Sequence, residues 1–279
     1  MQRHVDIVGL GRMGRAFAVS LRRAGWKVRA WSPTPRGRLV EGISLTEGPR
    51  PEDFPSAPLV LLAVSDRSIG DAAVALPLRP GQLVVHHSGA LGLEVLAPAE
   101  AQGAEVGSLH PLVAVASGAE GLPPCHAAVD GSESVRPRLE SLAREVGLQP
   151  FTIPPERRAL YHATASLAAN GLVALASLAT RLLRELGLAD AQAVSALAPL
   201  LASALEGLER RGLPGGLTGP VARGDEATVR RHLEALAGRE ALPAYLHLSE
   251  EMLRLARELG EAAPEKLAAI EALLRDQPR

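Results

Sequence analysis

Three features of the 279-residue sequence predict a doubly wound parallel α/β sheet followed by an all-α second domain. A short β-branched run, a glycine-rich loop and an amphipathic segment open the chain in β-α-β order. Further apolar runs of strand length alternate with helical segments, the pattern of a parallel sheet covered on both faces. Beyond Phe151-Thr152-Ile153-Pro154-Pro155, strand-like runs vanish and alanine, leucine and arginine dominate. These features place a first domain at residues 1–153 and a helical second domain at 154–279. Each is large enough to bury a core without disulfides or metals.

Residues 5–8 read as the first strand. Residues 12–24 follow with helical spacing that sets Phe17 and Leu21 on one face, and Gly25 suits the helix end. Residues 28–31 read as the second strand, while 32–58 are rich in proline, glycine and arginine, with 43–45 as the one strand candidate. The continuous apolar run 59–64 suits a central strand buried on both faces, and Ser65 or Asp66 can cap the helix after it. Strands are expected at 83–86, 105–109 and 126–129, with helices near 93–102 and 135–146. In the second domain helical spacing covers 156–186, 189–211, 225–237, 242–259 and 264–274. Ala163, Ala165, Ser166, Ala168 and Ala169 crowd the first long helix. Such small residues let another helix approach closely, within the domain or across a dimer; the expectation is a homodimer through the helical domain.

Totals exclude several classes of function. A formal charge of -1 and 3% aromatic residues give little attraction to phosphate backbones or stacked bases, so no nucleic acid partner is expected. The single cysteine, Cys125, is expected to be a buried free thiol. The opening residues lack the succession of a signal peptide, and no apolar run approaches the roughly 20 residues of a spanning helix. The expectation is therefore a cytoplasmic protein that does not engage membranes. No His/Cys/carboxylate spacing suggests a metal site.

The glycine loop Gly9-Leu10-Gly11-Arg12-Met13-Gly14 follows a strand, opens a helix and lies within a complete β-α-β unit, the context that makes this fingerprint specific for dinucleotides in a Rossmann-type domain. Gly9 permits the tight turn, Gly11 lets backbone approach the pyrophosphate, and Gly14 lets helix pack on strand. The end of the second strand, where a carboxylate would bind the ribose of NAD, carries Ser32, with no acid before Glu41. Ser32, Thr34, Arg36 and Arg38 form a cationic, hydroxyl-bearing loop suited to a 2'-phosphate. NADP is therefore expected, with NAD the disfavoured alternative. Ala63, Val64 and Ser65, at the end of the 59–64 strand, are candidates for contact with the nicotinamide-side ribose; an ordinary helix cap accounts for Ser65 equally well.

Two polar clusters, His86-His87-Ser88-Gly89 and Ser108-Leu109-His110-Pro111, end adjacent strands and should face one carboxyl-edge cleft. Histidine is the side chain best matched to proton transfer near neutral pH. The glycine loop, His86 to Ala90, Ser108 to Pro111, Tyr161-His162 followed by Asn170, and Leu217-Thr218-Gly219-Pro220 with Arg223-Gly224-Asp225 resemble the Rossmann-like proteins that carry the C-terminal domain DUF2520. That family is similar to pyrroline-5-carboxylate reductases, ketopantoate reductases and β-hydroxyacid dehydrogenases, and the resemblance implies NADP-dependent reduction. Ketopantoate reductases and β-hydroxyacid dehydrogenases place a lysine four residues before an asparagine on this helix. Here that position is Ser166, and the only lysines are Lys27 and Lys266. If the protein reduces a carbonyl or imine, the proton must then come from His162, His110 or a bound water; Ser88 and Asn170 are further candidates for the catalytic site, and Arg223 could hold a substrate carboxylate or a cofactor phosphate. The expected activity is hydride transfer to or from a small carbonyl or imine, anionic if Arg223 binds it, in the interdomain cleft. The alternative is a non-catalytic NADP-binding sensor or regulatory protein.

Overall fold

The computed structural model describes residues 3–34, 42–115 and 120–278. Among them, β1 (His4–Val8), β2 (Lys27–Ser32), β3 (Ser44–Glu47), β4 (Leu59–Leu62), β5 (Leu83–His86), β6 (Glu105–Pro111), β7 (Cys125–Gly131) and β8 (Leu148–Thr152) form one sheet. Its order is β3-β2-β1-β4-β5-β6-β7-β8. The winding reverses between β1 and β4, and that switch leaves a crevice beyond their carboxyl ends.

Central strands are buried on both faces, which is why their sequences are continuous apolar runs rather than alternating ones: Val5, Ile7 and Leu59 to Leu62 are at most 0% exposed. On one face, Phe17 and Leu21 of α1 (Arg12–Arg23) and Leu139 and Leu142 of α4 (Arg136–Glu145) pack on Ile7, Leu61, Val85 and Leu109. On the other, Ile69 and Ala73 of α2 (Ile69–Ala75) and Ala99 of α3 (Ala97–Glu100) pack on Val60, Leu62, Val84 and Val106. Each fully buried aliphatic side chain here contributes about 1.5–3 kcal/mol.

Two departures from the expected parallel sheet have local causes. β6 and β7 are antiparallel. No helix lies between them among the described residues, and a parallel return requires a crossover of about a dozen residues or more, usually a helix. β8 was not expected because Gln149 and Pro150 interrupt its apolar pattern; it lies at the sheet edge, where proline is tolerated. β4 stops at Leu62, so Ala63 and Val64 lie in the loop beyond it. Cys125 is partly exposed rather than buried.

The chain divides into two compact units, Met1–Ala169 and Asn170–Arg279. The division falls inside α5 (Arg158–Glu185) rather than ahead of it at 153/154. The first turns of α5 belong with the sheet because Arg158 and Tyr161 bind residues of β6 and β7. The second unit adds α6 (Asp190–Gly215), α7 (Glu226–Leu236), α8 (Leu242–Leu259) and α9 (Pro264–Arg275). Its core joins Val229 and Leu233 of α7, Leu246 and Leu253 of α8, and Leu267 and Ile270 of α9. α6 breaks at Gly212, φ 62°, the point where its helical spacing ends in the sequence.

α5 and α6 correct one expectation. The stretches 155–185 and 190–215 have mean hydropathy 1.4 and 1.3 and are long and apolar enough to cross a membrane by length and composition. Leu167, Val173, Leu200 and Leu205 are exposed on them in the single chain. Alanine and glycine dilute the large apolar residues, so no uninterrupted aliphatic run marks these helices in the sequence.

Candidate active site

The three glycines of the first loop answer to three different constraints. Gly9, φ +91°, turns the chain out of β1 in the left-handed region, its amide donating to the Trp31 carbonyl at 2.8 Å. At Gly14 a Cβ would stand 2.2 Å from the Gly9 carbonyl oxygen and 3.0 Å from Ala63 Cβ. Gly11 is different: a Cβ there would meet nothing within 4 Å. Gly11 occupies the N-cap of α1 with no side-chain cap, and the first turn carries no acid. The helix start is thus uncapped by any side chain and open at Gly11, features suited to receiving a phosphate. Arg12 is exposed and Met13 is half-buried against the core.

Ala63 is held beside this loop by its amide, which donates to the Val8 carbonyl at 2.8 Å, and Val64 follows it partly buried. Ser65 is exposed, its hydroxyl 2.8 Å from that of Ser68. Ser32 is buried at the end of β2, and its hydroxyl donates to the Thr34 carbonyl at 2.9 Å. Arg36 and Arg38 lie outside the described residues.

A second group of polar side chains gathers on β5, β6, β7 and the start of α5. Register pairs His86 with Ser108 and Ser108 with Asp130, so all three stand on one face of the sheet. Arg158, 3% exposed, lies over them: Nη2 donates to Ser108 Oγ at 2.7 Å, and Nε is 3.6 Å from the Asp130 carboxylate. His110, two residues beyond Ser108, places Nδ1 2.7 Å from the Tyr161 hydroxyl and meets the rings of Tyr161 and His162 edge-on. His110 and His162 converge on Gly89, where a Cβ would lie 2.8 Å from His162 Nδ1 and 2.9 Å from His110 Nε2. Arg158, Tyr161 and His162 reach the sheet together because they occupy positions i, i+3 and i+4 of one helix.

The neighbouring residues have structural partners. Ser88, 3% exposed, donates its hydroxyl to Asp66 at 2.7 Å and accepts the amides of Ala90 and Leu91, holding the turn that presents Gly89. His87 turns to the opposite face, stacked on Phe17 at 4.1 Å with Nδ1 2.7 Å from the Leu109 carbonyl. In the second unit, Asn170 is exposed on α5 and Arg223 is exposed between α6 and α7. Asp225 caps α7, accepting the Thr228 amide at 3.1 Å. Among the described residues no group of three or more His, Cys, Asp or Glu is arranged to hold a metal.

Burial governs the protonation of this cluster. It lowers His110 to about 4, with His162 and then Arg158 adding repulsion, and lowers His86 to about 4 with Arg158 adding to it. His87 falls to about 3, again chiefly by burial. Burial raises the Tyr161 phenol to about 12, against the opposing pull of Arg158. At neutral pH the three histidines are uncharged and Tyr161 keeps its proton.

Arg158 and Asp130 are parts of this geometry that the sequence did not single out, and Tyr161 entered only through the family resemblance. A signal existed for Arg158: a cation one helical turn ahead of His162 shares its face. Its partners, however, lie on strands some 28 and 50 residues away, at Asp130 and Ser108.

Residues 1–111 match the model of a Rossmann-like domain, and residues 125–252 match that of a domain of unknown function, DUF2520. No curated protein matches the chain. Among solved structures, TM1727 from Thermotoga maritima is 27% identical, with a TM-score of 0.69 over 91% of this chain and 98% of that one. BF3122 from Bacteroides fragilis, to which an NADP oxidoreductase activity is ascribed, is 21% identical with a TM-score of 0.71 over 89% and 97%. A reductive aminase from Aspergillus terreus, in complex with NADPH and ethyl-5-oxohexanoate, is 20% identical with a TM-score of 0.58 over 98% and 92%.

Proposed function

We propose that this chain, which carries a Rossmann-like domain followed by a DUF2520 domain, is an NADP-dependent oxidoreductase acting on a small carbonyl or imine. The observation that carries the reading is the open space before the uncapped start of α1 at Gly11, set between two glycines that sterics make obligatory. Ser32 in place of a carboxylate favours NADP over NAD, and Arg36 and Arg38 supply the charge for a 2'-phosphate. The NADPH held by the structurally similar reductive aminase, and the activity ascribed to BF3122, support the same assignment.

Bound NADPH supplies a hydride to an electrophilic carbon. The protein's share is the proton. In the tautomer this role requires, Tyr161 donates its O–H across the 2.7 Å contact to His110 Nδ1, and neutral His110 carries its ring proton on Nε2, the atom beside Gly89 and His162. When Nε2–H passes its proton to the substrate oxygen or nitrogen, Nδ1 takes the Tyr161 proton, and the ring changes tautomer without becoming charged. The resulting phenolate lies within the field of Arg158 and is reprotonated from solvent. His162 borders the same point as the alternative donor. This relay performs the task for which related reductases use a lysine, whose position here is Ser166.

A non-catalytic NADP sensor is the second reading, favoured by the missing lysine. The two separate on one experiment: fluorescence titration with NADPH and NADH, then oxidation of bound NADPH against keto acids, aldehydes and imines. Preferential NADPH binding with turnover supports the enzyme. Binding without turnover on any of them supports the sensor, and no NADPH binding refutes both.

The apolar faces of α5 and α6 are read as covered by a second copy of the chain. Leu167, Val173 and Leu200 are 77%, 68% and 64% exposed, more than isolated surface leucines require. Small residues beside them permit the close helix approach of a homodimer.

A further inference from the structure

Arg158 is costly where it stands. It is 3% exposed, and Nε and Nη1 are sealed from solvent without a hydrogen-bond partner among the described residues. Only Nη2 is bonded, donating to Ser108 Oγ at 2.7 Å, while Nε stands 3.6 Å from the Asp130 carboxylate. A guanidinium cannot shed its proton, so burying one with unmade donors costs stability that an aliphatic side chain in its place would not.

The neighbours of Arg158 give that charge a use. Ser108 precedes His110 by two residues on β6 and shares its face of the sheet. Arg158 precedes Tyr161 and His162 by one turn of α5. The Ser108 bond and the Asp130 ion pair thus tie the first turn of α5 to β6 and β7, at the place where the Tyr161 hydroxyl meets His110 Nδ1 at 2.7 Å. His110 is faced by Arg158, Tyr161 and His162 of α5, by Asp66 in the turn after β4 and by His86 of β5. Tyr161 has Arg158 on its own helix and Cys125 on β7. Burial, then His162 and Arg158, hold His110 at about 4 with Asp66 opposing, while burial raises the Tyr161 phenol and Arg158 opposes the rise. The guanidinium therefore disfavours a proton added to His110 and favours negative charge on the Tyr161 oxygen.

We propose that Arg158 is the positioning residue of the Tyr161–His110 pair: it holds the phenol against Nδ1, keeps the ring uncharged with its proton on Nε2, and offsets the charge left when the pair gives up a proton. As Nε2–H passes its proton to the substrate oxygen or nitrogen, Tyr161 O–H passes its own to Nδ1, and the electron pair of the broken O–H bond stays on the phenol oxygen, within the field of Arg158. That catalytic consequence rests on the hydride-transfer reading, whereas the state assigned to the pair exists without nucleotide or substrate.

The test begins with nitrogen-15 NMR of the full-length chain labelled at histidine, free of nucleotide and substrate, the His110 signals being identified by their loss in His110→Ala. At pH 7 the native ring should show a protonated Nε2 and a bare Nδ1. Arg158→Met should mix the two tautomers and let the ring take up a proton about one pH unit above the native value. Arg158→Lys, which restores the charge without the fork, should return the protonation toward the native pH. Ser108→Ala, a loss of one oxygen that the fold tolerates, should mix the tautomers with the charge still in place. In turnover, Arg158→Met should lower kcat by about tenfold or more, with KM and NADPH affinity within about twofold, and Arg158→Lys should recover part of it. A native His110 with its proton on Nδ1 overturns the proposal, as does a Ser108→Ala chain with the native tautomer, whether or not Arg158→Met folds. A folded Arg158→Met chain with the native tautomer and protonation overturns it equally. If the NMR changes appear as expected but the native chain turns over no substrate, the hydride-transfer reading fails and the positioning of the pair by Arg158 stands.

Discussion

Replacing Gly14 and Gly11 by alanine, one at a time, separates packing from phosphate binding within a single loop. At Gly14 the added methyl would lie 2.2 Å from the Gly9 carbonyl, while ordinary contact begins near 3.4 Å, so α1 must retreat by more than 1 Å from its loop. Neither obstacle is a flexible side-chain tip: one is backbone, and the other is Ala63 Cβ at 3.0 Å. Overpacking of this kind costs about 3 kcal/mol at the upper end of its usual range, offset by about 1 kcal/mol of helix propensity gained by alanine. The net loss of about 2 kcal/mol corresponds to a Tm lower by about 4–8 °C for a domain of this size. NADPH affinity should fall with it, because the helix amides withdraw from the phosphates. Gly11→Ala meets nothing within 4 Å, and its φ of -64° suits alanine, so stability should change by at most about 1 kcal/mol. NADPH affinity should still drop by about 10- to 100-fold, the worth of charged hydrogen bonds lost as the methyl occupies the phosphate approach. Thermal melts and NADPH fluorescence titrations on both variants read the two effects. A Gly14→Ala protein with unchanged Tm refutes the packing argument, and a Gly11→Ala protein with full NADPH affinity refutes the phosphate site.

The remaining predictions concern the proton relay, acid stability, the buried carboxylate and assembly. Tyr161→Phe and His110→Ala should each lower turnover by about 100-fold or more while leaving NADPH affinity within about twofold; single-turnover kinetics with normal rates would remove that residue from the relay. His86, His87 and His110 titrate at about 4, 3 and 4 in the fold, below the ordinary 6.5, so the unfolded chain binds more protons between these values. Stability is therefore complete above about pH 6.5 and lost as pH falls toward 4 and 3, by up to about 1.4 kcal/mol per pH unit for each histidine. Urea unfolding of His87→Gln at pH 7 and pH 5 should show a shallower loss, and an unaltered slope contradicts the assignment. Asp6 is 0% exposed and binds Arg29 Nε at 2.9 Å and the Ser56 and Ala57 amides at 2.6 and 2.9 Å, tying β1 to β2 and to the lead-in of β4. Asp6→Asn should cost about 3–5 kcal/mol in denaturant unfolding, and a loss under about 1 kcal/mol would mean the buried network is not holding these strands. Sedimentation should give a dimer for the native chain and a monomer for Leu167→Glu/Val173→Glu; a native monomer, or a variant of unchanged mass, refutes the second-copy reading.

The sequence determined whatever depends on neighbours along the chain. Gly9, Gly11 and Gly14 act within six residues of one another, so spacing alone marks a turn, an approach and a packing contact. Helical and strand periods likewise reveal which face of each element seeks the core, and the missing carboxylate at Ser32 is readable in the same way. Tertiary structure decided what depends on residues far apart. Proline and glutamine hid β8, whose place at the sheet edge removes the penalty they would carry inside. The antiparallel pairing of β6 and β7, with no helix between them among the described residues, also appears only in the tertiary structure. Ser88 and His110 looked equivalent as polar residues at strand ends, yet Asp66 and two amides occupy Ser88, while His110 meets Tyr161 across 51 residues. Arg158 carried no signal beyond its helical phase with His162. Only the sheet register, which brings His86, Ser108 and Asp130 onto one face, gives that cation a buried position and an unused donor. Such a requirement arises from desolvation by distant residues, and no local pattern of the chain encodes it.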